Sequence, residues 1–203
     1  MELLIIRHGQ SQAELEERHE GRADFLLTEL GRFQARQAAA FIYAKYPLQH
    51  VISSPLKRAF ETAEIIAKPL ALEVHTDARL MERDNGKLAG MLRSEALDKY
   101  PYPAEGRRTY EKFQGGESDI EFRSRVENFF SELCHHPPAH RVGIIAHGGS
   151  INMLFRAFMN LPMDVNIYLG TGDTGIHFWH LSERYRQILF SNYLGHLQDK
   201  PTQ

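Results

Sequence analysis

Cysteine is almost missing from this sequence: Cys134 is the only one in 203 residues. A lone cysteine excludes an intramolecular disulfide and any zinc site built from several thiolates. Long apolar runs are missing too, so no segment reads as a bilayer span. There is no excess of charge of one sign either, since 24 Lys and Arg stand against 26 Asp and Glu for a formal net charge of -2. That balance gives no drive toward nucleic acid or an anionic membrane surface, and any anion site must be made locally. The first residues read directly as strand, without the basic segment, apolar run and small-residue cleavage site of a secretory signal. The expectation is a cytoplasmic chain in a reducing compartment, forming one domain over residues 1–203.

What is present begins with Leu3-Leu4-Ile5-Ile6, a short strand buried on both faces, which stops at Arg7-His8-Gly9. A cation, an imidazole and a glycine at the carboxyl end of a buried strand stand where open α/β sheets hold their ligands. The device recurs. Val142-Gly143-Ile144-Ile145-Ala146 is a second buried strand, and it ends in His147-Gly148-Gly149 before a helix. Arg58, in Ser53-Ser54-Pro55-Leu56-Lys57-Arg58-Ala59, falls in the first turn of a helix after a further short strand. Two arginines and two histidines meeting at one rim suit a phosphoryl group, because they neutralise its oxygens and hold it for in-line attack. Expelling an alkoxide from a phosphate ester also needs a proton, and Glu82, at the start of an irregular excursion, is the candidate donor. Taken singly, His147 is equally a turn histidine, Arg58 a surface arginine and Glu82 a solvated loop acid. Only their joint placement at element ends points to a site.

Between these points strands alternate with helices, which predicts a three-layer α/β/α sandwich around a mostly parallel sheet. Thr28 reads as a helix N-cap, with Leu30, Phe33, Gln37, Phe41 and Lys45 along one face, the apolar members being expected in the core. Leu56 to Leu70 reads as a helix with Ala59, Phe60, Ala63, Ile66 and Ala67 inward. Ser118-Asp119-Ile120-Glu121 reads as a capping box, ahead of a buried stripe of Phe122, Val126, Phe129, Phe130 and Leu133. Ile176 to Leu181 and Arg186 to Phe190 read as a terminal hairpin. The histidine pairs His135-His136 and His177 with His180 lack the spacing of a metal-ligand set.

In this order and spacing the motifs resemble the histidine phosphatase superfamily, the group that includes phosphoglycerate mutases. The similar blocks are Arg7-His8-Gly9-Gln10-Ser11, Gly21-Arg22-Ala23-Asp24 with Leu27-Thr28, Ser53 to Ala59, Glu82-Arg83, Gly116-Glu117-Ser118 and Ala146 to Gly149. The resemblance implies a phosphoglycerate mutase-like fold and a phosphomonoesterase acting on small molecules without metal or cofactor. It implies that His8 becomes phosphohistidine, that Glu82 donates the proton, and that Arg7, Arg58 and His147 hold the phosphoryl oxygens. Ser11, Gly21, Arg22 and Gly148 join the expected substrate-binding set. Mutase-type transfer between two hydroxyls and non-catalytic sensing of a phosphorylated ligand are the alternatives. One position departs from the family: Glu14 stands where many members carry an asparagine that helps to hold phosphate, and a carboxylate there should repel it. Arg22, Arg83, Lys87, Arg107, Arg108 and Lys112 are candidates for a second anionic group, with Tyr102, Tyr110 and Phe113 as candidate walls.

Overall fold

The structure is a computed structural model that describes residues 1–101 and 105–198. Its centre is a six-stranded sheet of β1 (Glu2–Arg7), β2 (His50–Ser53), β3 (Val74–Thr76), β4 (Arg141–Ala146), β5 (Ile176–Leu181) and β6 (Arg186–Tyr193). The strand order is β3-β2-β4-β1-β5-β6. β1, β2, β3 and β4 run parallel, and β5 pairs antiparallel with both β1 and β6. The carboxyl ends of β1, β4 and β2 therefore lie side by side on one rim, which brings together motifs about fifty and ninety residues apart in sequence.

Helices cover both faces, because strands buried on both sides need partners on both sides. On one face Leu4 and Ile6 pack with α2 (Glu29–Lys45) and α3 (Lys57–Ala67). On the other, Leu3 and Ile5 pack with α5 (Asp119–His135) and α6 (Gly148–Phe158). Among the described residues the remaining α-helices are a single turn, α1 (Gln12–Leu15), and α4 (Arg93–Lys99). The excursion from Asp77 to Glu117 is pinned by buried Leu80, Leu88 and Ala96. Tyr102 and the polar tail from residue 199 lie outside the described residues.

Thr28 caps α2 by accepting from the Gly31 N–H, and Ser118 with Glu121 closes the capping box of α5. The expected inward face of α2 is corrected. Leu30 and Phe33 are exposed, and the buried side is Gly31, Ala35, Ala38, Ala39 and Ile42. Small side chains let α2 lie close to α3 and the sheet, so size rather than hydrophobicity selects the packed face. Phe60 is only half-buried, while Ala59, Ala63, Ile66 and Ala67 point inward as expected. The start of α2 also presses on the loop after β1. A Cβ on Gly9 would fall 2.4 Å from the Gly31 carbonyl oxygen, and one on Gly31 would fall 2.2 Å from that of Gln10. Two glycines are thus needed where the helix crosses the loop that carries His8.

Candidate active site

β1 delivers His8, and β4 delivers His147 in the register beside it, with ring centroids 5.0 Å apart. Both are fully buried. The Nδ1 of His8 lies 2.8 Å from the Gly9 carbonyl oxygen. A carbonyl only accepts, so Nδ1 carries the proton and Nε2 keeps the lone pair. Arg58 donates from Nε to that Nε2 at 3.3 Å, while its other nitrogens donate to the Gly21 and Ala23 carbonyls at 2.9 and 3.0 Å. Gly21 adopts a φ of 50°, which turns its carbonyl toward Arg58 and suits glycine. Burial pushes the His8 imidazole down to about 3, helped by the positive charges of Arg58 and Arg7 and opposed by Glu20. Burial, Arg58 and His8 push His147 down as well. Both rings are therefore neutral near pH 7, as a nitrogen nucleophile must be.

Ser54, at the end of β2, meets the Nε2 of His147 at 2.8 Å. Two buried nitrogens in this region have no partner among the described residues, His147 Nδ1 and Arg7 Nε. An unpaired buried polar atom is costly, and a ligand reaching either nitrogen would satisfy it. The rest of the Arg7 guanidinium is engaged by Glu14, by the Thr171 carbonyl at 2.9 Å and by Asp173 at 3.4 Å.

Glu82 reaches the same cluster from the excursion. Its carboxylate accepts from the Gly149 N–H at 2.9 Å and from the Arg83 N–H at 2.7 Å. A Cβ on Gly149 would lie 2.2 Å from Glu82 Oε1, so glycine there admits the carboxylate to the amino end of α6. Arg125 on α5 fixes the loop. It donates to the Glu82 and Arg79 carbonyls at 2.9 and 2.6 Å and pairs with Glu117, which itself accepts from the Asp84 N–H. A cavity of about 470 Å³ opens here, and Arg7, Glu14, Glu20 and Glu82 belong to its wall.

The structure thus brings Arg7, His8, Arg58, Glu82 and His147 to one place. Ser11 is buried beside them; it caps α1 and donates from Oγ to Glu20. Gly21 is on the cavity wall as expected; Gly148 opens α6 but is not on that wall, where Gly149 is instead. Arg22 is turned to Asp84 and Glu117, at 3.5 Å from each, and is not on that wall. Of the candidates for a second anion, only Arg83 is on it, where Arg18, Arg93 and Arg156 join it. Arg107 stacks on Phe113 and Lys112 pairs with Glu121, away from the cavity.

Sequence reasoning missed Glu20, Asp173 and Arg125, and no periodicity or motif marks any of them. Glu20 lies 3.3 Å from Arg58 Nε and 3.8 Å from His8 Nε2. One polar atom each of His8, Glu14 and Glu20 lie within 4.8 Å of one another. With Arg7 and Arg58 already on these carboxylates, the cluster is an ion-pair network; a cation placed in it would face two guanidiniums.

Buried neutral histidines make stability acid-sensitive. His177 and His196 are pushed down to about 4 by burial, and His8 to about 3. The unfolded chain, with histidines near 6.5, binds protons first as pH falls, so stability is full above that value and drains toward about pH 4, by about 1 kcal/mol per such histidine after the first unit. Glu14 and Asp173, raised by burial, act in the opposite sense. The urea midpoint should fall between about pH 7.5 and about pH 5.5; a midpoint that holds or rises would contradict neutral burial.

Comparison with known proteins follows the same line. The model of the histidine phosphatase superfamily (branch 1) matches residues 3–193. Phosphoserine phosphatase 1 of Hydrogenobacter thermophilus is 31% identical over 202 residues, covering 97% of this chain and 94% of that protein. A probable phosphoglycerate mutase of Cronobacter sakazakii is 32% identical over 169 residues, covering 80% of this chain and 76% of that one. The solved structure of mycobacterial glucosyl-3-phosphoglycerate phosphatase with VO3 superposes at a TM-score of 0.81 and 27% identity, covering 94% of this chain and 98% of that one.

Proposed function

The chain belongs to the histidine phosphatase superfamily, and from that premise we propose that it hydrolyses phosphate monoesters of small molecules through a phosphohistidine on His8, with Glu82 as proton donor. The observation that carries this reading is the His8 tautomer: the Gly9 carbonyl holds the proton on Nδ1 and leaves the Nε2 lone pair beside Arg58. Nε2 attacks phosphorus, the bond from phosphorus to the ester oxygen breaks, and the proton of the Glu82 carboxyl goes to the departing alcohol. The Gly149 and Arg83 N–H groups then stabilise the carboxylate that remains. In the second half Glu82 takes a proton from water, the water oxygen attacks phosphorus, and the nitrogen–phosphorus bond breaks to free phosphate and His8. Arg7 and Arg58 neutralise the phosphoryl oxygens in both halves, and the neutral His147 ring holds one of them by a hydrogen bond.

The cavity wall favours an acidic leaving group. Arg156 is held by the Met163 and Ile167 carbonyls and has no acidic partner among the described residues, and Arg93 joins it on that wall. A carboxylate on the leaving alcohol would meet these charges. The relatives named above, one a phosphoserine and one a glucosyl-3-phosphoglycerate phosphatase, fit such a class. We assign the activity to one catalytic domain spanning the chain and to the cytoplasm, with free small molecules as substrates. Among the described residues no helix is long and apolar enough to cross a membrane.

A panel of phosphate monoesters, with and without a carboxylate, tests the proposal in the presence of a chelator. Chelator-resistant release of phosphate, fastest for carboxylate-bearing esters, is expected. Isomerisation of a phosphorylated acid without net release would make the chain a mutase instead, and tight phosphate binding without turnover would make it a sensor.

A further inference from the structure

The phosphoryl pocket carries more negative charge than its proposed task explains. Three carboxylates face two guanidiniums: Glu14 and Asp173 sit on Arg7, and Glu20 sits on Arg58. Both histidines between them are neutral, so these five charged groups are balanced or negative among themselves before any dianion arrives. Glu20 also lies directly on the nucleophile, 3.8 Å from His8 Nε2, and its Oε1 takes the Ser11 hydroxyl. An oxygen of Glu14 and one of Glu20 lie within 4.8 Å of each other, in a partly buried place where like charges are poorly screened.

Resting on the phosphatase reading of this site, we propose that Glu14 and Glu20 act as a proton-sharing carboxyl pair, which takes up one proton from solvent when a tetrahedral dianion docks beside His8. One of the two carboxyls then carries the proton, and the pair loses one negative charge as the pocket gains two. The groups facing the pair are Arg7 from β1, His8 after it, Arg58 from α3 and Asp173 from the loop before β5. Burial disfavours the charged form of both and Asp173 that of Glu14, while Arg7 and Arg58 favour it, and Glu20 stays below the ordinary carboxylate range. Glu14 is the member already raised above the ordinary carboxylate range, by burial first and by Asp173 and Glu20 after the pull of Arg7. Two interacting carboxyls titrate as a unit, so the proton belongs to the pair. This gives the departure at Glu14 a function: an asparagine there would hold phosphate at any pH, whereas the carboxyl makes affinity depend on proton supply.

Sulfate is the probe, because it is a tetrahedral dianion that does not itself titrate in the working range. Its binding is followed by calorimetry between about pH 6 and about pH 8 in buffers of different ionisation heat. One proton taken up means about tenfold weaker binding for each unit of rising pH. Glu14→Gln is expected to abolish the buffer dependence and to flatten the pH dependence, and Glu20→Gln should do the same in part. Sulfate binding without proton uptake by the wild type would overturn the pair and mean that Glu20 swings aside still charged. Uptake undiminished in both variants would place the proton on His8 or His147 and overturn the pair as well. Failure of sulfate to bind and to inhibit ester hydrolysis would instead contradict the anion site itself.

Discussion

His8→Ala is expected to reduce hydrolysis of every phosphate monoester to background, a loss on the order of 10⁴-fold or more, as for removal of other covalent nucleophiles. His147 has its Nε2 on Ser54, and the Ser11 hydroxyl is spent on Glu20. The groups that hold the anion stay in place, because Arg58 is anchored by the Gly21 and Ala23 carbonyls independently of His8. The variant should therefore still bind sulfate while turning nothing over, and that combination separates loss of the nucleophile from loss of the fold. Wild-type rates in His8→Ala would end the phosphohistidine account.

Glu82→Gln is expected to have the second largest effect, and its size should depend on the leaving group. General acid catalysis contributes roughly 10²- to 10⁴-fold. An alkyl ester, which expels a basic alkoxide, should lose most of that, whereas an aryl ester with an acidic phenol should lose little. Glutamine keeps the shape and an oxygen that can accept from the Gly149 N–H, and Arg125 grips the backbone of residue 82 rather than its side chain. Steady-state rates across esters of graded leaving-group acidity would show the variant falling progressively behind the wild type as the leaving group becomes more basic. An equal loss for all of them would make Glu82 a structural residue.

The features that could be read from sequence are those set by local chemistry. The two capping motifs at Thr28 and Ser118, the buried strands and the glycines after each histidine follow from backbone satisfaction and period, and the structure carries them where the pattern puts them. The packed side of α2 is not legible, because Leu30 and Phe33 outweigh alanines on any hydrophobic scale while the packed face consists mostly of small residues, Gly31, Ala35, Ala38 and Ala39, with Ile42. The site divides in the same way. His8, Arg58 and His147 stand at strand or helix ends, where a motif marks them. Glu20, Asp173 and Arg125 come from a loop, another loop and a helix surface, and meet the motif residues only because β1 lies beside β4 and α5 lies over the Glu82 loop. Strand order is set by the whole sheet, and no local pattern encodes it.

The central claim is a covalent bond between phosphorus and His8 Nε2, and trapping that bond tests it most directly. The enzyme would be mixed with a fast-leaving aryl phosphate, quenched in alkali, which preserves phosphohistidine, and digested for mass spectrometry. The account predicts phosphate on the peptide that carries His8, appearing before steady state and absent from His8→Ala. Turnover at the wild-type rate with no phosphate on that peptide, or with phosphate on another residue, would contradict it.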